Sequence, residues 1–309
     1  MLGIVELILP VFGVIALGWF LARFGFIDEA GERGINALVY WATTPALLFR
    51  TMATMRPIAS EDLGIVAAYF AATLAVYVLA LEGARRAGWR LDRRAVAALG
   101  VTFSNSVLMG IPIIERAYGA EGLVLLTLII SVHAAIMVGL STLLCEIGRG
   151  AAHPAATLGA TAMVIARNPF LVAIALGLVA SIARLRLPDF ADRTLALVGA
   201  ATTPVALVCV GAGLARIRLA GALVPGAAIG AAKLLVMPVA VWVAARHVFA
   251  LPPLAVAVAT ASAALPSGIN AFILARRYNV AIPETTAAIL LSTLASPLTL
   301  ALAIAATRP

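Results

Sequence analysis

The chain has 309 residues, of which 63% are hydrophobic and 12% are charged, and its mean hydropathy is +1.08. This composition excludes a soluble globular protein, because such a protein needs a charged surface and long stretches of this chain carry no charge. The net charge of +8 does not indicate a nucleic-acid partner, because the arginines lie in short loops between apolar runs, where they mark membrane topology.

The apolar runs predict an all-α integral membrane protein. A bilayer core about 30 Å thick requires roughly 20 apolar residues per helix. On that basis the sequence predicts ten transmembrane spans, at residues 3–22, 34–54, 62–82, 95–117, 121–146, 168–184, 192–214, 221–245, 254–276 and 284–306. The loops between them are short and leave no room for a separate soluble domain.

The distribution of arginine predicts the orientation of the chain in the membrane. Loops that follow odd-numbered spans carry 13 arginines, and the other loops, together with the C-terminus, carry 8. Because positively charged loops favour the cytoplasmic side, we expect a multi-pass protein of the inner (plasma) membrane with both termini outside the cytoplasm.

Three short motifs of the first half return in the second half at offsets of 159 or 160 residues. They are IALG at 15–18 and 174–177, ATTP at 42–45 and 201–204, and Tyr118-Gly119 with Tyr278-Asn279. The sequence therefore predicts two five-span repeats, at residues 1–150 and 151–309. Because five is odd, the second repeat must enter the membrane from the opposite side. Inverted repeats are typical of secondary transporters, whose sites lie where discontinuous helices meet.

Spans 4 and 9 contain residues that weaken a helix at matched depth. Span 4 contains FSNSVLMGIPI at 103–113, and span 9 contains ASAALPSGIN at 261–270, which includes Pro266 and Gly268. Proline removes an amide donor, and serine and asparagine compete for backbone hydrogen bonds, so we expect a break in each helix. The offset of 160 aligns Ser106 with Pro266, which places the two breaks side by side.

A break at membrane depth predicts a binding site, because freed backbone groups must be buried in protein or face water. Each second half-helix would begin near the midplane, where unpaired amides favour anions. Asn105, Ser106 and Ser267 would add polar side chains at that level. The alternative is a pair of proline kinks that serve packing only.

Two further polar residues lie in the middle of spans. Lys233 is too far from either end of span 8 to reach water and should face the protein interior. Its charge needs a partner, for which the sequence offers backbone carbonyls released by a broken helix or a bound anion. His133 in span 5 would either link transport to protons or pack as a neutral hydrogen-bonded side chain.

The two interrupted motifs resemble the auxin efflux carrier family over essentially the whole chain. NSVLMGIPIIERAYG at 105–119 is similar to the family's Asn-containing stretch in span 4, and ALPSGINAFILARRYNV at 264–280 is similar to its proline-containing stretch in span 9. The resemblance implies a fold related to bile acid sodium symporters and sodium/proton antiporters. Spans 4 and 9 would cross as broken helices, and the protein would be a homodimer.

The resemblance also implies a division of labour between spans. Spans 1, 2, 6 and 7 would form a dimerising scaffold, and spans 3–5 and 8–10 would form a transport core with elevator-type alternating access. The family's substrate-contacting asparagine falls on Asn105, its crossover proline on Pro266, and a polar residue of span 5 on His133. One departure is Ser104, where plant carriers have a second proline, so the first break could be softer.

We therefore predict a secondary transporter of small organic anions, which are carboxylates such as malonate or auxin-like acids, with auxin itself disfavoured. The alternatives are a sodium- or proton-coupled symporter or antiporter of the same fold and, less favoured, a membrane sensor or enzyme. We expect no enzymatic activity, no cofactor and no bound metal, and partners limited to the substrate, the bilayer and a second copy. The predicted substrate-binding residues are Ser104, Asn105, Ser106, His133, Lys233, Pro266, Ser267, Gly268 and Asn270.

Overall fold

The computed structural model describes residues 2–54, 60–150, 159, 163, 166–185, 187–216 and 222–308. The junction of the two predicted repeats lies beside residues 151–158, which are outside the described part. Three arginines counted for the orientation, at 56, 186 and 218, are also outside the described residues.

Helices account for nearly all of the described chain. They are α1 (Leu2–Arg23), α2 (Glu29–Leu38), α3 (Thr44–Thr54), α4 (Ser60–Arg86), α5 (Leu91–Thr102), α6 (Ile111–Gly148), α7 (Pro169–Ile182), α8 (Asp189–Ala200), α9 (Thr202–Arg216), α10 (Leu223–Ala231), α11 (Met237–Val243), α12 (Pro253–Ala263), α13 (Asn270–Tyr278) and α14 (Ile282–Ala306). Four π-helical turns extend or join them, at Val39–Thr43, Ser106–Gly110, Ala232–Val236 and Ala244–Val248.

The apolar character of these helices confirms a multi-pass, all-α membrane protein. Five stretches of the described chain are long and apolar enough to cross a bilayer: Leu63–Arg86, Ser106–Gly148, Asp189–Arg216, Leu223–Val248 and Ile282–Ala306. Shorter apolar helices are found at Leu9–Arg23, Pro169–Ile182 and Pro253–Ala263. The count of ten spans and the inversion of the repeats stay predictions.

The chain forms two compact units by its internal contacts. The first consists of the described residues within Met1–Leu63, Val107–Ser131 and Ala166–Ile217, and the second of those within Gly64–Ser106, Val132–Ile165 and Arg218–Pro309. The first unit includes 107–131, which the sequence analysis assigns to the transport core. In that unit Leu108 packs against a small buried cluster formed by Val39, Ala206 and Cys209.

Two close helix contacts inside the first unit repeat at the spacing of the sequence motifs. α1 packs along α9, and an ideal Cβ on Gly18 would lie 2.3 Å from the carbonyl oxygen of Val208. α7 packs along α3, and a Cβ on Gly177 would lie 2.5 Å from the carbonyl oxygen of Phe49. Both residue pairs are related by an offset of 159 residues. The spacing found in the sequence therefore also relates two packing contacts.

The motifs that pair Tyr118 with Tyr278 share a local conformation. The residue that follows each tyrosine has a positive φ, which is 65° at Gly119 and 49° at Asn279. Glycine and asparagine are the residues that most easily adopt this conformation, and it ends a helix. Gly119 thus interrupts the helical stretch Ile111–Gly148, and Asn279 ends α13.

Hydrogen bonds between side chains join the helices of the second unit. Tyr77 in α4 donates to the carbonyl oxygen of Ala95 and lies 2.8 Å from the hydroxyl of Ser141 in α6. Near the end of α13, Tyr278 donates to Glu146 over 2.6 Å. Burial and this hydrogen bond raise the pKa of the Tyr278 phenol, so it remains a donor. These hydrogen bonds therefore link α4 to both α5 and α6, and they link α13 to α6.

Candidate functional site

The helix of predicted span 4 is interrupted at residues 103–105. α5 ends at Thr102, and Phe103 adopts extended backbone angles of φ −85° and ψ 111°. Helical structure resumes with the π-helical turn Ser106–Gly110. The break coincides with the Ser-Asn-Ser sequence, whose side chains favour non-helical backbone.

The helix of predicted span 9 is interrupted at residues 264–269. α12 ends at Ala263, and α13 begins at Asn270. Pro266 lies in the middle of this gap, where its missing N–H and fixed φ prevent a continuous helix. Both predicted breaks are therefore observed.

The two interruptions pair with each other through their backbones. Ser104 and Ser267 form an isolated antiparallel β-bridge. The N–H of Asn105 donates to the carbonyl oxygen of Pro266 over 3.0 Å, and the N–H of Gly268 donates to that of Phe103 over 2.7 Å. The sequence analysis expects these backbone groups to be unpaired. They are paired in the structure, because each interrupted segment provides hydrogen-bond partners for the other.

Gly268 is required by the closeness of this pairing. An ideal Cβ at this position would lie 2.6 Å from Cδ1 of Phe103 and 3.0 Å from the carbonyl oxygen of Ser104. Any larger residue would push the two segments apart. Gly268 therefore contributes close backbone approach and no side chain to the site.

The serine hydroxyl groups of the predicted site form hydrogen bonds within the protein, next to the paired breaks. The hydroxyl of Ser104 lies 3.1 Å from that of Tyr69, and the hydroxyl of Ser267 donates to the carbonyl oxygen of Gly100 over 2.7 Å. The N–H of Ser267 donates to the hydroxyl of Ser292. Ser106 is buried, and its hydroxyl lies 3.5 Å from the carbonyl oxygen of Ser104. Ser104 and Ser267 therefore hold the two breaks in place.

Two asparagine side chains at the start of the second half-helices are available to a ligand. Asn105 and Asn270 are both partly exposed, and their side-chain amides have no hydrogen-bond partner among the described residues. Asn270 is also the first residue of α13, where the N–H of Ala271 already donates to the carbonyl oxygen of Gly268, so the free donors are the two side-chain amides. These groups can donate to a carboxylate without breaking any bond within the protein.

His133 lies beside the first break with one ring nitrogen unsatisfied. Its ring stacks on Phe103 with centroids 4.4 Å apart and meets the edges of Tyr69 and Phe70 at 5.7 Å. It hydrogen-bonds to the backbone of Thr102, whereas Nε2 is buried without a partner in the described structure. An unpaired buried nitrogen is costly and marks a position where a ligand or water can bind.

The ammonium group of Lys233 lies at the C-terminal end of α12, the helix that precedes the second break. Lys233 belongs to the π-helical turn Ala232–Val236 and is completely buried. Its ammonium group donates to the carbonyl oxygen of Ala263, the last residue of α12. This is one of the two partners that the sequence analysis allows, and a cation is favoured at a helix C-terminus.

All nine predicted site residues fall within the second unit, and the pairing of the breaks brings most of them together. Two contributors, Tyr69 and Ser292, were not predicted. Each is a polar residue within an apolar helix, and this is the signal that the sequence offered.

Comparison with known proteins identifies the family. The sequence profile described as "Membrane transport protein" matches residues 3–304. The chain belongs to this family, that of the auxin efflux carriers. A member from Rhizobium meliloti (strain 1021), named "Putative malonate transporter", is 27% identical over 310 residues, which cover 96% of this chain and 93% of that protein. Membership in this family indicates that the protein is a transporter rather than an enzyme.

Proposed function

We propose that this protein is a secondary transporter that moves small carboxylates across the inner membrane by alternating access. The observation that carries the proposal is the pairing of two interrupted helices around Ser104 and Ser267, with a buried positive charge at one of the helix ends. Irregular backbone at membrane depth is tolerated only inside protein or beside a cavity, and transporters use such breaks to bind ions and anions.

The groups around the breaks suit an anionic cargo. Asn105 and Asn270 supply free amide donors, Lys233 supplies a positive charge, and His133 becomes a donor at Nε2 when its ring is protonated. We assign these four residues to substrate binding. Ser104, Ser106, Pro266, Ser267 and Gly268 shape the two breaks. The malonate named in the Rhizobium meliloti relative is the first carboxylate to test.

We further propose ten spans arranged as two inverted repeats. Support comes from the offset of 159 residues that relates the Gly18 and Gly177 contacts, and from the positive φ shared by Gly119 and Asn279. Spans 1, 2, 6 and 7 would form the scaffold and the homodimer interface, whereas the unit that contains both breaks would carry the substrate in an elevator-type movement. Both termini would lie outside the cytoplasm.

A proton-coupled mode is the second candidate, because Nε2 of His133 is buried without a partner in the described structure and can accept a proton. A sodium-coupled mode has less support. The crossing segments 103–106 and 264–270 contain no Asp or Glu, which hard cations prefer as ligands.

The test uses purified protein in liposomes with labelled malonate. We expect saturable uptake that empty liposomes lack, and it should respond to an imposed potassium diffusion potential. Separate proton and sodium gradients would identify the coupled modes. Chemical conversion of malonate without flux would overturn the proposal in favour of an enzyme.

A further inference from the structure

The two breaks satisfy equivalent helix-end carbonyls in different ways. The bridge relates Ser104 to Ser267, an offset of 163 residues, and the same offset relates Gly100 to Ala263. The carbonyl oxygen of Gly100 accepts from the neutral hydroxyl of Ser267, whereas that of Ala263 accepts from the charged ammonium of Lys233. The hydrogen bond at Gly100 is therefore formed by neutral groups, whereas the hydrogen bond at Ala263 involves a cation.

Lys233 has no carboxylate partner in the part of the chain that the structure describes. It is fully buried, and among the described residues it forms one hydrogen bond, which it donates to the carbonyl oxygen of Ala263. The other described charged residues of the second unit lie near helix ends, where Arg93 pairs with Glu284 and Arg149 with Asp92. A carbonyl dipole compensates only part of a full charge, and an isolated buried ion is costly.

We propose that Lys233 is the fixed countercharge of the cargo and sets the charge that crosses the membrane in the loaded state. This inference rests on the proposed function. With Lys233 protonated and His133 neutral, the interior of the empty unit carries one positive charge, a monoanionic carboxylate neutralises it, and a dianion leaves one negative charge. Lys233 therefore makes the loaded step neutral for monocarboxylates only.

This difference in charge can be tested in exchange of substrate on one side of the membrane for substrate on the other. In exchange, the moving unit changes orientation only with substrate bound. Exchange of a monoanion for itself should not respond to membrane potential, because the loaded unit has no net charge. A loaded unit with one charge experiences about 2.3 kcal/mol per 100 mV, roughly a 50-fold bias between its two orientations if the charge crosses the whole field. That bias slows exchange, because one orientation becomes rare.

The experiment measures exchange of labelled lactate and of labelled malonate at neutral pH in liposomes, with and without an imposed potential. For the parent protein, we expect lactate exchange to be independent of potential and malonate exchange to slow several-fold. In Lys233→Gln, lactate exchange should become as sensitive as malonate exchange in the parent. Lys233→Arg keeps the charge, so the lactate exchange that it retains should stay independent of potential.

The outcomes separate this inference from the proposed function. If the parent exchanges neither carboxylate, the carrier function itself is wrong. If the parent exchanges lactate with the same dependence on potential as Lys233→Gln, the countercharge role is wrong while the carrier function stands. The lactate and malonate comparison in the parent decides the matter even if Lys233→Gln does not fold.

Discussion

The N–H of Asn105 donates to the carbonyl oxygen of Pro266 over 3.0 Å, which fixes the start of one half-helix against the break in the other. This bond uses only the backbone of Asn105. Asn105 is partly exposed, and its side-chain amide has no partner in the described structure, so its chemistry is separate from the folding contact. Substitutions can therefore distinguish a ligand role from a structural role at this position.

Asn105→Ala should reduce malonate uptake with little effect on stability. The substitution keeps the backbone bond to Pro266 and removes only the free amide, so the free energy of unfolding should change by about 0.5 kcal/mol or less. A hydrogen bond to a charged group contributes roughly 1.5–3 kcal/mol, which predicts an uptake loss of about 10-fold or more. Uptake in liposomes and thermal melting in detergent measure the two effects.

Asn36→Ala is the matched control for this change. Asn36 in α2 donates to the carbonyl oxygen of Glu32, and it belongs to the first unit, whereas the site lies in the second. Its replacement should leave uptake unchanged per folded protein. Malonate should raise the melting temperature of the parent and of Asn36→Ala, and equal protection of Asn105→Ala would contradict a role for that amide.

The bond between Tyr69 and Ser104 should behave as a buried structural pair. Both side chains are almost fully buried, and their hydroxyls lie 3.1 Å apart. Ser104→Ala leaves the Tyr69 hydroxyl without a partner and should cost about 1–3 kcal/mol. Tyr69→Phe in the same background removes the orphaned hydroxyl, so the double variant should regain most of the lost melting temperature.

A double-mutant cycle decides whether this interpretation holds. Additive losses in the two single variants and the double variant would show that the hydroxyls do not interact. The sequence analysis assigns Ser104 to substrate binding. That assignment would gain support if Ser104→Ala reduced the uptake per folded protein.

The general location of the site could be predicted from sequence because helix-breaking residues act locally. Ser104, Asn105 and Pro266 weaken a helix wherever they occur, and the observed interruptions contain them. The need of Lys233 for a partner follows equally from its depth in an apolar run. A carbonyl at a helix end was a foreseeable partner, but its identity as Ala263 depends on tertiary packing.

The pairing register could not be predicted from the repeat offset. The tyrosine landmarks differ by 160 residues, whereas the bridge joins residues that differ by 163. The second repeat has three fewer residues between its break and Tyr278 than the first has between its break and Tyr118. The offset alignment of Ser106 with Pro266 therefore differs from the observed pairing of Ser104 with Ser267. Motif spacing does not reveal where such residues are lost.

His133→Phe should lower malonate uptake while it preserves or raises the melting temperature. Phenylalanine can keep the stacking on Phe103, and it removes a buried Nε2 that has no partner in the described structure. It also removes the hydrogen bond to Thr102, which offsets part of that gain. The lost nitrogen would no longer serve a carboxylate or a proton.

The response of uptake to a proton gradient separates the two roles of His133. If the imidazole transfers a proton during transport, the parent should respond to a proton gradient imposed at fixed external pH, and His133→Phe should not. If the protonated ring only binds the substrate, uptake by the parent should depend on external pH but should not respond to that gradient. Unchanged uptake at every pH would assign His133 to packing alone.

Gly18 and Gly177 should be equally intolerant of alanine. A Cβ on either residue would come within about 2.5 Å of a backbone oxygen on the neighbouring helix, and backbone cannot move away as a flexible side chain can. Gly18→Ala and Gly177→Ala should therefore each lower stability by about 1–3 kcal/mol, as overpacked helix interfaces do. Thermal melting in detergent measures the loss.

Gly13→Ala is the control within the same helix as Gly18. A Cβ at Gly13 would have no neighbour within 4 Å, so this change should be neutral or slightly stabilising, because alanine favours a helix more than glycine does. A large loss for Gly18→Ala with none for Gly177→Ala would contradict the equivalence of the two contacts. Equal losses at both glycines, with none at Gly13, would show that the spacing of 159 residues reflects two copies of one packing arrangement.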